Sequence, residues 1–286
     1  MGGVASSKFA SSGAWIETNM TALSTFFESA KLPVMTEVSR ALVRTLNDEN
    51  ASAGQIQRII EKDPALIAQL LRQANSAHFG LSRQVQSLDH AVMLLGMSRV
   101  RALALSNSIR TAFPEIPGLS RTEFWRFCMD CATFAQWLAR PAQVDPQQAW
   151  LVGMMLRLGE MIIAQRAPEM LVQIEAPPHG ALERWQREQQ LLGFDEGQVT
   201  AVLAKHWNFP HDMVVGLQKT SDPMAERPFD PLSAVVHLAA LLTDKLSLGP
   251  QAIDELPPEV VIALALDPEA LIAQFPPPEK FGMVDL

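Results

Sequence analysis

The sequence predicts an all-α protein. Apolar residues recur at helical spacing through almost the whole chain, and helix starts are repeatedly marked by Ser or Asp caps and by proline. Alternating strand runs and Asn-Gly hairpin signals do not occur, and no repeat at solenoid period is present.

Taken in order, residues 1–18 are rich in Ser, Ala and Gly without periodicity and read as a flexible leader. Val38, Leu42 and Leu46 then recur every fourth residue, and Ser52 with Gln55 forms a capping box ahead of Ile56, Ile59 and Ile60. In "KDPALIAQLLRQANSA" Asp63 is the N-cap and Pro64 takes the first helical position, where a missing N–H costs nothing. Ile67, Leu70, Leu71 and Ala74 form the buried stripe. Ser87 caps "SLDHAVMLLG", Gly96 can end it in the left-handed conformation, and Ser98 can cap "SRVRALALSNSI". Two prolines and a glycine in "FPEIPGLS" break the pattern at 113–120, the expected internal boundary. Ser120 with Glu123 opens a helix carrying Phe124, Phe127, Cys131, Phe134 and Leu138. Asp145-Pro146 opens the next, in which "WLVGMMLRLGEMII" reads as one buried helix with an awkward charge, Arg157. Asp195 with Gln198 caps "EGQVTAVLAKHW", and a last long helix runs from about Pro231 to Leu248. Beyond Gly249, short helical pieces between "LPPE", "DPEA" and "FPPPEK" read as a tail draped on the domain or partly loose.

A chain of 286 residues suits one large domain or two small ones, and folding buries about 75% of its unfolded surface. With 48% apolar and 19% charged residues the composition is globular. The excess of 31 acidic over 23 basic residues, a net charge of -8, argues against nucleic acid or an anionic membrane as partner. Arg99, Arg101 and Arg110, spread along one helix and its neighbour, read as a solvated face. Two cysteines exclude a disulfide framework and fit a reducing compartment. The first twenty residues lack the apolar stretch of a secretory signal, and "PLSAVVHLAALLT" falls short of the ~18 residues a membrane helix needs. A cytoplasmic protein is expected. "MGGVAS" fits an N-myristoylation pattern at Gly2 and Ser6, but the pattern is short.

Little catalytic chemistry is visible. Cys128 and Cys131 form a C-x-x-C in the second turn of an amphipathic helix, where the macrodipole no longer acidifies a thiol, so they read as small core hydrophobes. Zinc would need four ligands, and no second pair exists. His78, His90, His179, His206, His211 and His237 are isolated; His206 and His211 lie five apart across Pro210 and share no helix face. Each reads as a capping or half-buried imidazole. No H-E-x-x-H, Gly-rich phosphate loop or G-x-S-x-G elbow is present. From the residues alone, catalytic, cofactor and metal sites are all expected to be absent.

Six stretches in order, "LPVMTEVSRALVRTLND", "IIEKDPALIAQLLRQANSAHFG", "VQSLDHAVMLLGMSRVRALAL", "EFWRFCMDCATFAQWLAR", "AWLVGMMLRLGEMII" and "HWNFPHDMV", resemble the HDOD family of bacterial HD-related output domains over roughly residues 32–245. The resemblance implies a two-lobed helical domain over 19–250, with an N-terminal lobe at about 20–113 and a C-terminal lobe at about 120–250 similar to HD phosphohydrolases. Residues 251–286 remain as the Pro-containing tail.

Active HD phosphohydrolases hold metal with an early His, an adjacent His-Asp pair and a late Asp. By motif alignment these positions fall on Phe127, on Leu156 and Arg157, and, more loosely, on Ala240. None can ligate. A cation at Arg157 would repel a divalent metal by about 4 kcal/mol per unit of metal charge at ~4 Å and an effective dielectric near 20. The resemblance therefore implies regulation without catalysis, through protein partners such as cyclic-di-GMP enzymes, response regulators or histidine kinases. No "GGDEF" segment is in the chain, so such a partner would be a separate protein. Two alternatives stand beside this. The emptied pocket could accept a nucleotide or other anion on Arg157, whose planar fork suits phosphate. A cryptic phosphohydrolase could use Glu160 and Asp145, although Arg157 and Glu160 at i, i+3 fit a salt bridge better.

Overall fold

The computed structural model describes residues 22–28, 32–75, 84–225 and 227–281. The leader, with Gly2 and Ser6, and His78 lie outside the described residues. Among those residues every regular element is helical. The first group comprises a helical turn at 22–27 (α1), then α2 (Glu37–Arg44), α3 (Ala53–Ile60), α4 (Pro64–Ala74), α5 (Leu88–Leu95) and α6 (Met97–Ala112). α2 to α5 all pack on α6, whose residues from Ala102 to Ile109 are buried without interruption.

The second group is built on α7 (Arg121–Ala139), which lies along α8 (Pro146–Met155) and α14 (Pro231–Asp244). Around them stand α9 (Leu158–Arg166), α10 (Pro168–Ile174), α11 (Ala181–Leu192), α12 (Glu196–His206) and α13 (His211–Gln218). The groups are stitched together. α6 packs on α8, Trp207 Nε1 donates to Pro33 O at 2.9 Å, and Asn47 Nδ2 donates to Asn208 O at 2.8 Å.

Local signals place most helix starts. Side chains of Ser52, Asp63, Ser87, Ser120, Asp145 and Asp195 accept backbone N–H bonds at the expected N-caps. The reciprocal half of a capping box forms at Asp195 and Gln198. Four expectations need correction. Ser98 lies inside the first turn of α6, which begins at Met97 without a side-chain cap. Gly96 has φ +82° but an extended ψ of 151°, so it turns the chain directly from α5 into α6 rather than closing α5 in the left-handed conformation. The final long helix stops at Asp244, and a 3-10 segment over Leu246–Glu255, interrupted at Gly249 (φ +58°), takes over. Arg99, Arg101 and Arg110 are half-buried rather than solvated: Arg101 donates to Thr45 O at 3.0 Å, and Arg110 lies over the Trp125 ring.

The tail is draped on the second group. α15 (Pro258–Ala263) and α16 (Pro268–Ala273) lead to Phe275 and Phe281, whose rings pack on Phe134 at 5.6 and 4.5 Å.

Candidate functional site

The stretch expected to form one buried helix breaks at the Leu156-Arg157 dipeptide. α8 ends at Met155 and α9 starts at Leu158, with Arg157 at φ −82°, ψ 2° between them. At the break Gly159 passes so close to α12 that an added Cβ would lie 2.0 Å from Glu196 O, an approach that only glycine permits. Thr200 takes up the polar groups the break exposes: its hydroxyl accepts from Gly159 N–H at 2.7 Å and lies 2.9 Å from Leu156 O as a donor.

The break turns Arg157 into a buried cage. Its Nε donates to Glu160 Oε2 at 2.7 Å, with a second ion contact from Nη2 to the same oxygen. Nη2 also donates to Glu175 Oε1 at 3.1 Å, and Nε stands 3.8 Å from Glu196 Oε2. Phe127, on α7, lies under the Arg157 guanidinium at 4.8 Å and under that of Arg184, on α11, at 5.1 Å. Arg184 in turn donates to His179 O at 2.7 Å and reaches Glu196 Oε1 at 3.5 Å and Glu175 Oε1 at 3.7 Å. Trp185 Nε1 donates to Glu196 Oε1 at 3.0 Å. Two cations and three carboxylates therefore share one cluster, and Glu175 with the exposed His179 forms its solvent-facing edge.

Of the positions singled out from sequence, the structure brings Phe127, Arg157 and Glu160 together here. Leu156 is fully buried and contributes its carbonyl to Thr200. Ala240 is fully buried on α14, one turn before Asp244, which accepts from Ala181 N–H at the start of α11. Asp145 caps the far end of α8, where it accepts from Gln147 N and Gln148 N, and does not join the cluster. Both cysteines are fully buried, and burial raises their thiol pKa values. His237 is buried, stacked on Trp185 at 5.4 Å with Nδ1 2.7 Å from Thr220 O, and burial lowers its pKa.

The charge balance sets the protonation. Burial alone would lower the Arg157 pKa, but Glu160, Glu196 and Glu175 together outweigh it and raise it, so Arg157 is a fixed cation. Burial pushes Glu160 up to about 7 against the pull of Arg157, with Glu175 adding to the rise. Burial likewise raises Glu196, Glu188, Asp195 and Asp244. Glu160 Oε1, Glu188 Oε1 and Glu196 Oε2 lack a hydrogen-bond partner, which fits carboxyls short of cations. A group whose folded pKa exceeds its unfolded value is favoured in its protonated form by folding. Between 4.5 and about 7 the native state holds a proton on Glu160 that the unfolded chain has lost, so stability falls as pH rises through that window. Urea unfolding is expected to show greater stability near pH 5.5 than near pH 8, and a flat or opposite profile would contradict the assignment.

The residues present do not fit a divalent metal. Among the described residues no group of three or more His, Cys, Asp or Glu side chains is placed to hold one, and the carboxylates nearest Arg157 are engaged by guanidinium groups. Nor does Arg157 offer itself to an outside anion, since carboxylates and two aromatic rings surround it.

Sequence reasoning identified the Arg157–Glu160 pair but not Glu175, Arg184, Trp185 or Glu196. These come from three further segments, and only the fold collects them.

Comparison with known proteins gives three kinds of match. The HDOD domain family model matches residues 32–223. Solved structures with the same fold include a presumed phosphohydrolase from Shewanella amazonensis SB2B, 25% identical, covering 88% of this chain and 92% of that one at TM-score 0.73. An HDOD domain protein of unknown function from Geobacter sulfurreducens is 21% identical, with coverages of 91% and 94% at TM-score 0.77. A presumed signal transduction protein from Marinobacter aquaeolei VT8 is 22% identical, with coverages of 92% and 62% at TM-score 0.73. An uncharacterized protein of Treponema pallidum (strain Nichols) is 23% identical over 206 residues, 68% of this chain, and the chain spans 39% of that protein's length. No helix among the described residues is long and apolar enough to cross a membrane.

Proposed function

The chain belongs to the HDOD domain family, and from that premise we propose that it is a non-enzymatic signalling protein that acts by binding other proteins. One observation carries the reading. The Arg157 guanidinium forms a buried ion pair with Glu160, at the dipeptide that motif alignment sets against the His-Asp pair of an active HD relative. In this reading Phe127, Leu156, Arg157 and Ala240 are the four former ligand positions, and an internal cation serves as the structural counter-charge a metal would otherwise supply. The partner-binding unit is the domain over residues 19–250, with its lobes meeting at 113–120. The partners are cytoplasmic signalling proteins of the cyclic-di-GMP, response-regulator or histidine-kinase type, a choice supported by the family and by a fold shared with a presumed signal transduction protein.

The resemblance to a presumed phosphohydrolase at 25% identity favours one rival, metal-dependent hydrolysis. A single preparation separates the two. After incubation with manganese and dialysis, elemental analysis is expected to find no stoichiometric metal, and p-nitrophenyl phosphate hydrolysis is expected to match a no-protein control. Affinity capture from the source lysate is expected to retrieve a signalling protein. Stoichiometric metal with hydrolysis lost in Glu160→Ala would overturn the proposal in favour of the rival. Capture of no signalling protein would overturn it without supporting the rival.

A further inference from the structure

A cleft of about 960 Å³ opens between α4, α6 and the start of α7, and shares no residue with the Arg157 cluster. Its described lining carries three arginines, Arg72, Arg110 and Arg121, and no carboxylate. That is a local inversion in a chain whose acids outnumber its bases by 31 to 23.

The three cations come from three helices that converge. Asn107 Nδ2 donates to Gln73 Oε1 at 3.2 Å, tying α6 to α4 across the cleft; Arg72 adjoins Gln73, and Arg110 follows Asn107 by one turn. Arg121, in the first turn of α7, donates to the carbonyls of Arg110 and Phe113 at 3.3 and 3.2 Å, which holds its charge against α6. The Arg110 guanidinium lies over Trp125 at 5.9 Å. At the rim Asn75 donates to Val85 O at 2.8 Å and accepts from Val85 N at 2.6 Å, so the edge is built rather than loose.

We propose that this cleft binds a small phosphorylated nucleoside. Guanidinium groups match phosphate oxygens with their planar forks. The carboxamides of Gln69 and Gln86 each offer a donor and an acceptor, the pairing that a base edge presents, and Leu71 and Met129 give a ring an apolar seat. The volume lies at the upper end of the roughly 300–1,000 Å³ of small-molecule sites. A nucleic-acid polymer is opposed by the net charge of -8. The inference goes beyond the protein-binding role proposed above, because it gives the first helical group a chemical input.

Equilibrium dialysis of the full chain against labelled ATP and GTP tests it. Saturable binding of at least one nucleotide is expected, competed by inorganic pyrophosphate and not by the bare nucleoside. Arg72 is exposed, so Arg72→Glu should keep the parent melting temperature while weakening binding about tenfold or more. Gln69→Glu, which puts a carboxylate into the same cleft, should weaken it likewise and serves if the first variant fails to fold. Absence of saturable binding, competition by nucleoside but not pyrophosphate, or affinity unchanged in the folded variants would overturn the proposal.

Discussion

Arg157→Met is expected to lower the unfolding free energy by about 3–5 kcal/mol, the cost of removing one partner from a buried ion pair. Methionine fills the volume and can still lie against Phe124 and Phe127, so the loss isolates the charge. Without the guanidinium, Glu160 and Glu196 are left fully buried with Arg184 as the remaining cation in the cluster. At roughly 2–4 °C per kcal/mol for a chain above 150 residues, the melting temperature should fall by about 6–20 °C. The loss should shrink at pH 5.5, where Glu160 is protonated and the missing cation matters less. Adding Glu160→Gln should restore part of the stability at pH 8. A loss under about 1 kcal/mol, equal at both pH values, would mean that the cluster contributes little.

Gly159→Ala is expected to be comparably damaging for a different reason. The new methyl carbon would sit 2.0 Å from Glu196 O and 2.8 Å from Glu196 C, atoms of the α12 backbone that cannot turn aside as a side chain can. The helices must separate, and the Thr200 bonds that seal the break separate with them. Overpacking of this kind costs about 3 kcal/mol or more when backbone has to move. Gly153→Ala is the matched control. Its nearest contacts would be at 3.1 Å, including the Ala135 side chain and the Ala132 Cα, so a smaller loss is expected. Thermal unfolding of both variants checks the order, and equal losses would show that the α9–α12 approach is not the tight point.

The helix starts were legible because capping is local. Asp63, Ser87, Asp145 and Asp195 each satisfy a donor within three residues, a distance over which spacing carries the information. The break at Leu156 was illegible for the opposite reason. Apolar periodicity runs straight through it, and the residues that meet it, Glu196 and Thr200, lie about forty positions away. The Arg157–Glu160 pair could be read from its i, i+3 spacing, whereas Glu175 and Arg184 reach it only through the path of α10 and α11. The half-burial of Arg99, Arg101 and Arg110 is not legible in the sequence, because charge pattern alone does not report what covers a helix face. Ser98 resembles a cap as well as any other serine, but the sharp turn at Gly96 starts the helix two residues sooner.

The bond between Trp207 and Pro33 has a consequence in time. It closes across 174 residues, and the neighbouring Asn47–Asn208 bond closes across 161. At a synthesis rate of about 5–20 residues per second, Pro33 waits roughly 10–35 s for its partner to leave the ribosome. During that interval α2 to α6 must hold together on their own packing, with the surface that later meets Trp207 and α8 uncovered. Joining the two groups is therefore a late, long-range step, and folding speed is set more by this closure than by the helices, which form locally and fast.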